Sequence, residues 1–437
     1  MRRARPIGNM IGGRFRRWVT AVAVTPSGVR SSWLVTRAAF AIGLVVAHLG
    51  ARKALLPGDV AVVYFDAASH LMHGAVPYVD FQYEYPPGTL PLLAFAWLLG
   101  GPSRASFVIA WCVLMLVLDG VVTWRLSRSR FGAEAGLLWV VGVCLLGPTA
   151  LLRNDLVVVA SFVIAFGLTA HRGTVTGGAL WMIGVLAKIW PFAPMAALFL
   201  LRRPGRARLA LGALVLFGGT AALLLANGSL GAMVGYLLHR QGRRPLEIES
   251  LWATPVWMKA LLTGGRVTVE QTSGSENLIG AHSAATAATL LTGCVQLACV
   301  FAPFFIVRRT RIPISASLLA WIFATYVAIT LVAAPVESPQ YAAWLLSAAC
   351  VLVTVSRSVD TTRFALLTLL VCALTQLVFP TLFDSLQDSD PVGIVVLLLR
   401  NVTLLTVCGV GIRGLLNSIR SATFTTVVSD SLAAQHG

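Results

Sequence analysis

The chain has 437 residues, of which 57% are hydrophobic and 12% charged, and many of its apolar runs reach membrane-spanning length, which a soluble core rarely needs. Such a composition excludes an ordinary soluble enzyme and describes a polytopic, all-α membrane protein. The net charge of +17 does not point to nucleic acid, because Lys and Arg form short clusters between apolar runs, where they mark a cytoplasmic face.

In chain order, a basic segment (1–32) precedes apolar segments near 33–50, 104–124, 135–152, 156–170, 175–187, 189–201, 209–226, 284–306, 313–333, 339–355, 364–380 and 392–411. With the N-terminus inside, twelve crossings put the basic loops "RLSRSR" (125–130), "HR" (171–172), "RRPGRAR" (202–208), "RRTR" (308–311), "SRSVDTTR" (356–363) and "IRGLLNSIR" (412–420) inside as well. Residues 412–437 then form a second cytoplasmic tail, around a transmembrane domain spanning 33–411. This topology requires "GTLPLLAFAWLLGG" (88–101) to be a short re-entrant or surface helix, tolerated where it is buried in protein. The segments 175–187 and 189–201 are short for a bilayer core of roughly 30 Å, so "AKIWP" between them is expected to turn below the outer surface. All of the 17 acidic residues except Asp119, Glu134, Asp360 and Asp430 fall toward the outside, where the long loops 51–87 and 227–283 lie.

The first long loop carries Asp59, Asp66, Asp80 and Glu84 beside Tyr64, Tyr78, Tyr83 and Tyr85. A carboxylate partly shielded from water has a raised pKa, which suits it to taking a proton from a hydroxyl; the bland alternative is a set of solvated loop acids. "YPPG" turns the chain sharply, aiming the loop back at the membrane or simply starting a helix. In "LLRNDLVV", Arg153 and Asp155 read first as a local ion pair or helix cap. Lys188, at the tip of two short helices, either meets an anion such as a phosphate or snorkels.

The second long loop gathers His239, Arg240, Arg243, Arg244, Glu247 and Glu249 before Trp252 and Trp257. Cations there suit phosphate or sugar hydroxyls and the indoles suit a sugar face, although an interfacial amphipathic helix with a tryptophan anchor accounts for the pattern more simply. "GGRVTVEQTSGSENLIG" (264–280) reads as a small hairpin. "APVESPQYAAW" puts Glu337, Gln340, Tyr341 and Trp344 at another outer helix end, the aromatic pair reading as membrane-belt residues. Gly177 and Gly178 read as a close helix contact. The seven cysteines lie in apolar segments without metal-ligand spacing, and the chain lacks a Walker A loop, HExxH and GxSxG.

Taken in order, "GDV…Y…AA…G…PY.DF.YEYPPG", "LLRNDL", "GVLAKIWPFAPMAALFLLRR", "RRPLEIESLWATP" and "ESPQYAAW" resemble the family 87 glycosyltransferases over nearly all of residues 50–355. That resemblance implies a GT-C-like bundle of about twelve transmembrane helices in the cytoplasmic membrane. It implies transfer of a sugar, mannose foremost, from a polyprenyl-phosphate donor to a hydroxyl of a glycan or glycolipid acceptor at the outer face. An Asp of the first outer loop would be the general base. The family pattern there is Asp, three residues, then Tyr, whereas Asp59 precedes Tyr64 by five positions, so Asp59 is the first candidate and Asp66 its competitor. The resemblance puts Lys188, Arg240 and Arg244 near the donor phosphate, and Glu249 and Gln340 near the sugars. Tyr64, Tyr85, Arg153, Asp155 and His239 complete the candidate substrate-binding set. Membrane lipid surrounds such an enzyme, nucleic acid is not a partner, and neither a metal nor another cofactor is expected, the donor being a co-substrate. The competing reading is a transporter or flippase of lipid-linked sugars, against which stands the lack of internal repeats.

Overall fold

In the computed structural model the described residues are 25–49, 60–129, 131–201, 204–242, 244–272, 274–310 and 312–436. Candidate Asp59 lies outside them, and so does the side chain of Arg240.

The apolar segments are helices: α1 (Pro26–Leu49), α2 (Phe65–Met72), α3 (Leu90–Gly100), α4 (Arg104–Ser127), α5 (Gly132–Leu146), α6 (Asp155–Thr169), α7 (Val175–Ala187), α8 (Phe192–Leu201) and α9 (Arg206–Ala226). Helices α10 (Leu230–Gly242) and α11 (Thr254–Thr263) belong to the second long loop, and α12 (His282–Thr310), α13 (Ala316–Ala333), α14 (Ala342–Val355), α15 (Val359–Gln376) and α16 (Pro391–His436) complete the bundle. Among the described residues, six helices are long and apolar enough to cross a membrane, namely α4, α9, α12, α13, α15 with its extension to Thr381, and α16 up to Thr423. The other apolar helices are shorter. The chain is an all-α protein of the multi-pass membrane type.

Position in the bundle follows from which faces are covered. Of its most apolar stretch, α13 buries 78% and α12 only 6%, so α13 is a core helix while α12 presents Leu290, Leu297 and Phe305 outward, as a helix in lipid does. Buried helices α6 and α14 pack on each other and on α5, α7 and α13. Helices α7 and α9 touch backbone to backbone, because a Cβ on Gly178 would stand 2.0 Å from the Leu209 carbonyl oxygen and one on Gly212 1.9 Å from that of Val175. The glycine contact expected from "TGGAL" is therefore this crossing.

Beyond 411, α16 runs on as one helix of 46 residues, and Asp360 at the start of α15 accepts from Asn417 at 2.9 Å and faces Arg413 at 3.6 Å, which ties this extension to the bundle. Helix α1 begins at Pro26, ahead of the predicted start at 33. Its Arg37 meets Asp119 of α4 at 2.8 Å, and Trp33 and Trp139 donate to the same carboxylate. Asp119 is fully buried, and four N–H donors from α1 and α5 satisfy it as a buried charge requires.

Candidate functional site

The local sequence explains how polar groups come to one end of the bundle. Helix α7 has 13 residues and α9 has 21, and both start from the end where Gly173 donates to the Pro204 carbonyl. At 1.5 Å per residue α9 runs about 12 Å further, so the "AKIWP" turn is sunk, as its short flanking helices predict. The "YPPG" turn seats on it: a Cβ on Gly88 would lie 2.5 Å from the Leu186 carbonyl carbon and 2.7 Å from the Ala187 nitrogen. Pro86 and Pro87 also lead a short 3-10 turn into α3, so the helix-start reading of that turn holds.

The segment "PLEIES" after α10 is not part of an amphipathic helix: it runs open to Glu247 and then turns at Ile248 and Glu249, where Ser250 N donates to the Glu247 carbonyl at 3.1 Å. Its Ile248 donates to the Glu276 carbonyl at 3.0 Å and Glu247 to that of Pro335 at 3.0 Å, while Leu246 accepts from Leu278 at 2.8 Å. Leu246 and Ile248 enter a small second core with Trp257, and Glu247 and Glu249 line a cavity. The hairpin expected in this loop is present as β1 (Val269–Thr272) and β2 (Ser275–Leu278), antiparallel with Thr272 opposite Ser275. Its tip faces the first loop, a Cβ on Gly274 falling 3.2 Å from Glu84 Oε2.

These elements enclose a cavity of about 700 Å³, lined among others by Glu84, Tyr85, Arg153, Lys188, Arg244, Glu247, Glu249, Gln340, Tyr341 and Trp344. Ile189 and Phe192 border it with roughly half of each side chain exposed, so one edge of a polar cavity is apolar and open to the bundle surface.

Lys188 Nζ sits 2.7 Å from Asp155 Oδ1, which also accepts from Trp344 Nε1 at 2.8 Å. Its ammonium lies over the rings of Tyr341, Trp344 and Tyr85, at 4.5, 5.1 and 5.8 Å from their centroids, an aromatic cage that favours the cation. Burial pushes the Tyr85 hydroxyl well above its usual range, reinforced by Asp155 and Glu84, and pulls Arg153 below its own. Tyr64 stands behind this layer, fully buried, its ring 6.2 Å from that of Tyr85 and its oxygen accepting from Asn154 N at 3.3 Å.

On the opposite wall, Arg400 Nη1 of α16 donates to Glu337 Oε1 at 2.6 Å, and its Nη2 donates to the backbone carbonyl of Glu249. Glu247 accepts from the backbone nitrogen of Glu337 and from Ser338 Oγ. Burial raises all three carboxyls against the lowering effect of the nearby arginines, Glu337 to about 7.

The cavity thus brings together candidates Tyr85, Arg153, Lys188, Arg244, Glu249 and Gln340, with Asp155 and Tyr64 directly behind. Asp66 stands apart in an exposed pair with Arg104 at 2.9 Å, Asp80 caps the Val76 nitrogen at 2.7 Å, and His239 is exposed on α10 away from the cavity. Asp155 pairs with Lys188, 33 residues away, in addition to its electrostatic interaction with neighbouring Arg153. Several expectations are corrected. Tyr341 and Trp344 are cavity residues, not belt residues. Trp257 is fully buried and donates to Ile248 O, and Trp252 donates to Ala333 O, so neither indole anchors in lipid or faces the cavity. Arg400 was not singled out, although a lone arginine within "VVLLLRNVTLL" is the signal, since an ionisable group inside an apolar span needs a partner.

The fold and the cavity define a protein of the multi-pass membrane type with a charged, aromatic-lined cavity. No family model matches the chain, and no curated protein or solved structure matches it.

Proposed function

We propose that the protein is a membrane glycosyltransferase that moves a sugar, mannose foremost, from a polyprenyl-phosphate donor to an acceptor hydroxyl at the outer face of the cytoplasmic membrane. A GT-C-like bundle of about twelve crossings with both termini cytoplasmic is part of this reading. The observation that carries it is one cavity holding Arg153 and Lys188, the carboxylates Glu84, Glu247 and Glu249, and an apolar edge at Ile189 and Phe192. A lipid-linked sugar phosphate asks for those three environments together: a cationic place for the phosphate, hydrogen-bonding groups for the sugar, and a route by which the tail stays in lipid.

Residues of the chain then take these parts. Arg153, partly deprived of water and beside the cavity, supplies guanidinium donors to the phosphate as it leaves. Lys188, held between Asp155 and three rings, adds positive potential without being free to wander. The general base is a carboxylate of the first loop: Asp59 by the resemblance, or Glu84, which lines the cavity. It takes the acceptor hydroxyl's proton as that oxygen bonds to the anomeric carbon and the bond to the phosphate oxygen breaks.

The test is a membrane assay with radiolabelled polyprenyl-phosphate mannose, comparing wild type with Asp59→Asn, Glu84→Gln and Arg153→Gln. The base variant is expected to lose about 10²-fold or more in turnover, and Arg153→Gln to lose donor affinity by roughly 10- to 100-fold. Full transfer by both carboxylate variants would remove the base assignment, and no transfer by wild type across several sugars would favour a transporter of lipid-linked sugars.

A further inference from the structure

Glu249 is 2% exposed, lines the cavity, and has one carboxylate oxygen, Oε2, that accepts no hydrogen bond among the described residues. Arg400 stands beside it, its Nη2 3.9 Å from that oxygen, beyond hydrogen-bond reach. The reason lies in what the guanidinium does instead: one nitrogen is taken by Glu337 Oε1 and the other by the backbone carbonyl of Glu249. Arg400 therefore grips the main chain of Glu249 and leaves its carboxylate under-satisfied. Glu247 next to it is turned the other way, tied to Glu337 N and Ser338 Oγ. Arg244, on the same cavity, has a buried Nε that donates to nothing.

A buried acceptor without a donor costs free energy that a bound O–H recovers, and a carboxylate near a guanidinium donor offers both halves of what a sugar hydroxyl needs, since a hydroxyl donates and accepts at once. We propose that Glu249 accepts a hydrogen bond from a hydroxyl of the transferred sugar, and that Arg400 and Glu337, which touch no substrate, are the positioning pair that aims it. This rests on the glycosyltransferase reading, and it assigns the sugar end of the donor to the wall formed by the 246–249 segment. Arg400 is suited to the task because its planar guanidinium holds Nη1 and Nη2 in fixed directions toward two separate acceptors, whereas an ammonium offers one freely rotating nitrogen.

The test is binding of a short-chain polyprenyl phosphate, with and without a mannosyl group, to the full-length protein in detergent micelles. Comparison is between wild type, the near-isosteric Glu249→Gln and the charge-retaining Arg400→Lys. Wild type is expected to prefer the mannosylated ligand, and both variants to lose roughly 10- to 100-fold of that preference while holding the bare phosphate within about twofold of wild type. An unchanged preference in Glu249→Gln overturns the proposal, as does equal loss of both ligands in Arg400→Lys, which marks Arg400 as merely structural. Wild type that binds both ligands equally overturns this proposal alone, whereas wild type that binds neither overturns the glycosyltransferase reading with it.

Discussion

Lys188 Nζ and Asp155 Oδ1 lie 2.7 Å apart at the mouths of two buried helices, with side chains 13% and 2% exposed. The pair joins the end of α7 to the start of α6, and Trp344 of α14 donates to the same oxygen. Removing one partner strands the other charge among aromatic rings, and such a loss costs about 3 kcal/mol or more. Asp155→Ala is thus expected to lower the melting temperature in detergent clearly, and the double change Asp155→Asn with Lys188→Met to recover part of the loss. Fluorescence-detected size exclusion after heating reads both; a double variant no more stable than Asp155→Ala would deny the coupling.

The contact between the first loop and the sunk turn makes Gly88 a sensitive position. A methyl group there would overlap the backbone at Leu186 and Ala187, and relief of the overlap must move Glu84 and Tyr85 relative to Lys188. Gly88→Ala is expected to cost roughly 1–3 kcal/mol and to lower transfer in the mannose assay. An unaltered melting temperature together with full transfer would show that the seat is not needed.

Asp66 is expected to be dispensable. Its pair with Arg104 is exposed, 45% for the acid and 52% for the base, and exposed pairs of this kind contribute about 0–1 kcal/mol. Asp66→Asn should retain transfer within about twofold of wild type. A loss comparable with that of the base variant would return Asp66 to the catalytic set.

The Glu247, Glu249 and Glu337 carboxyls are all raised in the folded protein by burial, Glu337 to about 7. The folded state therefore binds more protons than the unfolded chain between the ordinary carboxyl range and about pH 7. By linkage the stability these groups contribute is fully present at acid pH and declines as pH rises through that window. Melting temperatures taken across pH 5–8 should fall with pH, and Glu337→Gln should flatten the slope. A wild-type profile rising across this range would contradict the assigned environment.

Much of the fold was legible because membrane physics writes itself into composition. Runs of apolar residues without charge locate helices, so α4, α9, α12 and α13 lie close to their predicted positions. Short runs on either side of Lys188 announced a sunk turn, and the alternation in "RVTVEQT" before Gly274 announced a hairpin. Cation-bearing Arg153 and Lys188 and the tyrosines of the first loop were visible for the same reason: polar residues are conspicuous against such a background.

The wall opposite was hidden, because its parts are distant in sequence and each has an innocent local explanation. "PLEIES" resembles the edge of an amphipathic helix until Leu246 and Ile248 find their own core, and the turn at 248–249, held by backbone bonds to Glu276 and Pro335, brings Glu247 and Glu249 to the cavity. Arg400 sits in a run read for its hydrophobicity, and its partner Glu337 is 63 residues away. The sequence by itself determined an all-α, multi-pass chain and the polarity of its loops, since transfer of each segment from water to lipid depends on that segment alone. Only the tertiary structure decided which charges meet, because a buried charge is tolerable where a partner from another helix reaches it, and that is a property of the packing, not of any one segment.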